Sequence, residues 1–260
     1  MLYQPKQYRI FQKTSQLLEM KYKAIIVSDI HLGIKDSKVD EFLEFIETHP
    51  TKLLILNGDI IDGWALSRGS TWKRKHSKVV QKILKLSTKI KIIWIRGNHD
   101  EFIEEFIGSH FGNIEMREDY VLNLKNDEKY YIFHGDVIDV FITKYKWLSK
   151  IGSVGYDFAL WLNRVYNTYR KWRKLPYISI SQKIKNKVKV ATNYINDFET
   201  TALSMAHKKG CNGVICGHIH QPADVMINNE RYLNSGDWIE NMSGILIDSD
   251  GNIKLYKKGE

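Results

Sequence analysis

Lys23–Gly33 reads KAIIVSDIHLG, and the same grammar returns at Leu53–Asp62 (LLILNGDIID) and at Ile90–Asp100 (IKIIWIRGNHD). Each begins with a short apolar, β-branched run of strand length and ends in a turn that carries Asp, Asn or His. Between the runs lie amphipathic stretches. Val39–Glu47 (VDEFLEFIE) has the i, i+3, i+4 apolar spacing of a helix, and Ser77–Leu86 reads as a second, basic helix. With strands at Lys23–Val27, Leu53–Leu56 and Ile90–Ile95, this β-α-β-α-β rhythm argues for a layered α/β core.

Further along, Tyr120–Leu124 and Lys129–Phe133 read as a hairpin across an Asn126-Asp127 turn. From about Val137 to Lys209 the strand signal stops and helical patterns take over. One of them, from about Ser181 to Lys209, has Ser181 placed as an N-cap and Gly210 just past its end. Strands return at Gly213–Cys216, Val225–Ile227, Tyr232–Asn234, Gly244–Ile247 and Ile253–Tyr256, with turns at Asn228-Asn229 and Asp250-Gly251. The expected architecture is a two-sheet α/β sandwich with core segments 1–136 and 210–260 and a helical cap inserted at 137–209.

Five motifs stand at strand ends: Asp29-x-His31, Gly58-Asp59, Gly97-Asn98-His99-Asp100, His134-Gly135-Asp136 and Gly217-His218-Ile219-His220. Loops at the carboxyl ends of strands converge on one crevice in open α/β sheets. Any one of these motifs alone would read as an ordinary turn, since Asp and Gly are common there. Five in order, each closing an apolar strand, point to one site. Imidazole and carboxylate ligands suit Mn, Fe, Zn or Co, and the set is too large for one tetrahedral ion. A shared carboxylate can bridge two ions roughly 3.5–4 Å apart, an arrangement suited to in-line phosphoryl displacement.

These blocks, as SDIHLG, GDIIDGW, GNHDE, FHGD and GHIHQP, resemble the calcineurin-like metallophosphoesterases. The resemblance implies that Asp29, His31, Asp59 and His220 hold one divalent metal, and that Asp59, Asn98, His134 and His218 hold the other. It implies a metal-bridging hydroxide as nucleophile, His99 as the acid at the leaving oxygen, and Asp100 as the residue orienting the His99 ring. Mn2+ is the first expectation for the metal, with Fe, Zn or Co as alternatives. GDIIDGW together with NSGDWIE (Asn234–Glu240) looks like the subgroup containing UDP-2,3-diacylglucosamine pyrophosphatase of lipid A synthesis. That subgroup implies a nucleotide-linked lipid diphosphate as substrate, giving UMP and a lipid X-like product. Position 99 departs from it: the general family's histidine stands where the dedicated lipid A enzyme has arginine. A broader phosphodiesterase or a nuclease-like phosphoesterase is the alternative.

Composition agrees with a globular protein and localises the charge. The 260 residues are 43% hydrophobic and 27% charged, with net charge +9. A chain this long buries enough surface to fold without a structural metal. Twelve Lys/Arg and one acid, Asp157, fall between Val140 and Val190, so the remainder is nearly neutral. The same segment interleaves aromatics such as Trp147, Trp161 and Trp172 with its cations. These rings are either the cap's own small core or a surface for a membrane interface or nucleic acid. Lys185 and Lys189, one helical turn apart, are candidate contacts for a diphosphate, as are Arg68, Trp72, Arg74 and Lys75. Cys211 and Cys216 lack the second pair that a zinc site needs and are expected to be reduced and partly buried. No signal-like apolar run opens the sequence and no stretch of about 20 apolar residues occurs, so the expected location is cytoplasmic, at most peripheral at the inner face of the membrane.

Overall fold

In Tyr22–Val27 (β1) alternate side chains part company, and this decides the layering. Ala24 and Ile26 enter one apolar cluster, while Ile25 and Val27 enter another, all four fully buried. A strand buried on both faces must lie between two layers. The computed structural model describes residues 21–125, 127–139 and 197–260 and shows these layers.

The first sheet has seven strands. Its centre is β1, Leu53–Asn57 (β2), Lys91–Ile95 (β3) and Ile114–Arg117 (β5), each parallel to its neighbour. His110–Phe111 (β4) closes one edge; Ser243–Asp248 (β11) and Ile253–Lys257 (β12) close the other, all antiparallel. The second sheet runs in the order Asp119–Asn123 (β6), Lys129–Phe133 (β7), Gly213–Cys216 (β8), Glu230–Asn234 (β10), Ala223–Ile227 (β9). Within it β7, β8 and β10 are parallel.

Ile26, Ile55 and Ile93 of the first sheet meet Ile132, Ile215 and Leu233 of the second in a shared cluster. On the outer side of the first sheet, Val39–Thr48 (α1) contributes Phe42 and Phe45, and Arg74–Ser87 (α3) contributes Val79 and Ile83. On the outer side of the second, the helix at 197–208 contributes Phe198, Ala202, Leu203 and Ala206. The result is helix, sheet, sheet, helix: the two-sheet α/β sandwich expected from the sequence.

Most elements fall within a residue or two of their expected bounds. The helix expected at Ser77–Leu86 begins at Arg74, because the charged first turn carries no apolar period. Four elements were not expected: Gly63–Ser67 (α2), a 3-10 turn at Glu101–Phe106, β4 and β5. β5 reads IEMR, an apolar–polar alternation only four residues long and without a β-branched run. It becomes a strand by pairing with β3, and Lys91 Nζ reaches Glu115 Oε2 at 2.9 Å across that pair. Cys211 and Cys216 are free and buried. Of the proposed cap at 137–209, residues 137–139 and 197–208 are helical and Lys209 is in a turn; 140–196, with Lys185, Lys189 and the Ser181 cap, lie outside the described residues, as do residues 1–20 and Asn126. No described helix is long and apolar enough to cross a membrane.

Candidate metal centre

The carboxyl ends of β1, β2 and β3 share one edge of the first sheet, and those of β7 and β8 share one edge of the second. Two hydrogen bonds pin these edges together: Asn57 Nδ2 donates to the Phe133 carbonyl (3.1 Å), and His134 Nδ1 approaches the Asn57 carbonyl (2.8 Å). The loops then lock to one another. Asp29 N donates to Gly58 O, His31 N to Asp59 O, Gly217 N to His134 O, and His218 N to Asp29 Oδ2.

Five of the expected ligands hold the left-handed backbone region that L side chains rarely adopt: Asp29 (φ 53°), His31 (50°), Asp59 (55°), His218 (67°) and His220 (54°). None is glycine. Such conformations cost on the order of 1–3 kcal/mol each and persist where surrounding contacts enforce them, commonly at functional sites. Here all five stand in the loops that follow three strands, β1, β2 and β8.

The side chains meet in two groups. Donor atoms of Asp29, His31 and His220 lie within 4.8 Å of one another, and so do those of Asp59, His134 and His218. Asp59 Oδ2 stands between the groups, 3.7 Å from His31 Nε2 and 3.2 Å from His134 Nε2. Its other oxygen is taken by the His99 backbone N–H at 2.8 Å, so Oδ2 is the atom left to bridge. The donor chemistry fits two divalent ions. Asp29 Oδ1, His31 Nε2, Asn98 Oδ1 and His134 Nε2 are buried polar atoms with no hydrogen-bond partner among the described residues. Orphaned buried groups are costly unless something binds them.

Partners behind the donors fix their orientation. His31 Nδ1 is 3.0 Å from Asp62 Oδ2, which presents Nε2 to the centre; the Asn57 carbonyl does the same for His134. Asp62 Oδ1 also caps α2 at Ala65 N (2.7 Å) and lies 3.1 Å from His99 Nδ1. This corrects one expectation. Asp100 does not meet the His99 ring: its carboxylate accepts from the N–H groups of Asp59, Ile60 and Gly97 and from the Trp94 indole. Asp100 thus holds the bridging loop, and the carboxylate against the His99 ring belongs to Asp62. The signal for Asp62 was the second carboxylate of Gly58-Asp59-x-x-Asp62. Trp64 was also missed; its half-exposed ring packs on His99 with centroids 4.5 Å apart.

Burial opposes ionisation of Asp59, but His134, His31 and the His99 N–H outweigh it and hold the carboxyl well below its usual range. Burial likewise disfavours charge on His134, yet Asp59 raises its affinity for a proton. A metal must displace that proton. Mn2+ binding to chelator-stripped protein is therefore expected to release protons and to weaken as pH falls through the neutral range. Calorimetry in buffers of different ionisation enthalpy measures both, and pH-independent affinity would contradict the scheme.

Residues 22–222 match the calcineurin-like phosphoesterase family. The chain belongs to that family. Its similarity to curated relatives runs nearly end to end. It is 27% identical to a UDP-2,3-diacylglucosamine hydrolase of Shewanella piezotolerans over 245 residues, 90% of this chain and 98% of the relative. It is 26% identical to the protein of that name from Shewanella halifaxensis, over 88% and 95% of the two chains. Among solved structures it is similar to YfcE, a phosphoesterase from E. coli (14% identical, 90% and 97% covered, TM-score 0.45), and to Vps29 of Chaetomium thermophilum (10%, 92% and 96%, 0.46).

In this calcineurin-like phosphoesterase the glycines of the motifs make room for the candidate ligands. A Cβ on Gly97 would stand 2.3 Å from Asp59 Oδ1 and 2.4 Å from Asp59 N. Gly97→Ala is expected to displace the bridging carboxylate, lowering metal occupancy measured by elemental analysis and activity by roughly 10²-fold or more. Full occupancy in a folded Gly97→Ala protein would count against the close approach. The candidate substrate contacts are less concentrated. Trp72 donates its indole N–H to Ser77 Oγ (2.8 Å), which braces α3, and Lys75 Nζ reaches the Ser37 carbonyl at 3.2 Å. Arg68 and Arg74 are exposed at the end of α2 and the start of α3.

Proposed function

We propose that this phosphoesterase hydrolyses the diphosphate of UDP-2,3-diacylglucosamine or a closely similar nucleotide-linked lipid, releasing UMP and a lipid X-like phosphosugar. The observation that carries the reaction is Asp59 Oδ2 standing between two groups of metal-suited donors. The near end-to-end likeness to relatives named for that substrate supports the choice of lipid.

Asp29, His31, Asp59 and His220 would hold one divalent ion; Asp59, Asn98, His134 and His218 would hold the other, with Mn2+ our assignment. Such ions lower the pKa of water and neutralise phosphoryl oxygens. The chain's own contribution is orientation and proton delivery. Burial opposes ionisation of Asp62, but its contacts with His31, the Ala65 N–H and His99 hold its carboxyl well below the usual range. Asp62, 3.1 Å from Nδ1, orients the His99 ring, which would serve the departing oxygen as acid. Trp64, packed on the same ring, limits its rotation. A lipid substrate also calls for a location at the membrane surface, with the cationic 140–190 segment meeting anionic headgroups.

A second reading, a broader phosphodiesterase acting on nucleic acid, is favoured by one feature. Residues 63–99, between the second and third motif carboxylates, hold ten Lys/Arg and no Asp or Glu. Both readings are tested by incubating the purified protein with Mn2+ and either UDP-2,3-diacylglucosamine or a simple phosphodiester, following products by 31P NMR. UMP release supports the lipid substrate. An intact nucleotide-lipid beside a cleaved phosphodiester would overturn it.

A further inference from the structure

The described ends on either side of residues 140–196 both reach one side chain of the metal centre, His218. From the turn at 136–139, Asp139 Oδ2 stands 3.0 Å from His218 Nε2. From the helix at 197–208, the Phe198 ring stacks on the same imidazole, centroids 6.4 Å apart and planes 24° from parallel. The His134 ring meets the imidazole edge-on at 5.2 Å, and the His218 backbone N–H is held by Asp29 Oδ2. His218 is therefore confined in rotation, and only its hydrogen-bonding edge remains to be assigned.

Among the four ligand histidines the pattern differs at this one. His31 and His134 are anchored through Nδ1, by Asp62 and by the Asn57 carbonyl, and present Nε2. His220 presents Nε2 to Asp29 Oδ1 at 3.2 Å. His218 is anchored through Nε2. An ionised carboxylate only accepts, so this contact requires the proton on Nε2, and in the neutral ring the lone pair is then on Nδ1.

We propose that Asp139 is a positioning residue that fixes His218 as the Nε2–H tautomer, making Nδ1 the nitrogen offered to the metal beside Asp59 and His134. The proposal rests on the reading of that group as a metal site. Its consequence is that a ligand orientation in the core depends on the first turn after β7, not on the core sheets alone.

The test uses the full chain, stripped with chelator and titrated with Mn2+ by calorimetry. Asp139→Ala is expected to weaken one site by about 10–100-fold. Asp139→Asn, whose amide oxygen still accepts from Nε2–H, is expected to stay near wild type. In Zn2+-loaded wild-type protein, long-range 1H–15N spectra are expected to place the His218 proton on Nε2; this readout stands even if a variant does not fold. A proton on Nδ1, unchanged affinity in Asp139→Ala, or equal losses in the Ala and Asn variants would overturn the assignment. Wild-type protein that binds no Mn2+ would instead remove the metal site itself, a distinguishable failure.

Discussion

Asp59→Ala is expected to abolish metal binding at both positions and to lower turnover by at least about 10³-fold, since in the proposed scheme the ions would supply the nucleophile and the charge neutralisation. The expectation follows from the place of one oxygen. Oδ2 is shared between the His31 and His134 donors, so its loss opens both groups at once. The substitution also leaves His134 Nε2 buried without its neighbouring charge, which makes loss of fold a real competitor. Asp59→Asn keeps the volume and the Oδ1-type acceptor for His99 N–H while removing the charge. Elemental analysis of folded Asp59→Asn protein, checked by circular dichroism, is expected to show no bound Mn2+. Wild-type occupancy and rate in a folded variant would sink the two-metal scheme.

His99→Ala is expected to separate binding from chemistry: Mn2+ occupancy unchanged, kcat lower by roughly 10²–10⁴-fold. His99 offers the centre its backbone N–H, which the alanine variant retains, while its ring meets Asp62 and Trp64. If the ring delivers a proton to the leaving oxygen, its removal matters most for poor leaving groups. A series of aryl phosphodiesters should show rates converging on wild type as the leaving phenol becomes more acidic. A uniform loss across the series would show that His99 acts elsewhere than on the leaving group.

The centre was unusually legible in the sequence because strand ends are marked twice, by the close of an apolar run and by a glycine-rich turn. Asp29, His31, Asp59, Asn98, His134, His218 and His220 each stand at such a mark. What the marks do not encode is which side chain faces which. Asp100 adjoins His99 in the chain yet bonds to the backbone of Asp59 and Ile60, forty or more residues away. The His99 ring meets Asp62 because the second and third loops lie side by side, not because of any spacing within a loop. β5 was passed over for a related reason: IEMR alternates over only four residues, and its pairing with β3 is what makes that short run a strand.

By itself the sequence determined the alternation of strand and helix, the layered α/β class and the inventory of donors, because periodicity and turn chemistry are local properties of the chain. The tertiary structure decided that Asp59 Oδ2 is the shared oxygen, that Asp62 and not Asp100 faces His99, and that Asp139 meets His218. Those assignments depend on two sheets joined at Asn57 and Phe133 and on loops that meet only after the strands have paired. A contact across that seam is a property of packing, and no stretch of sequence contains it.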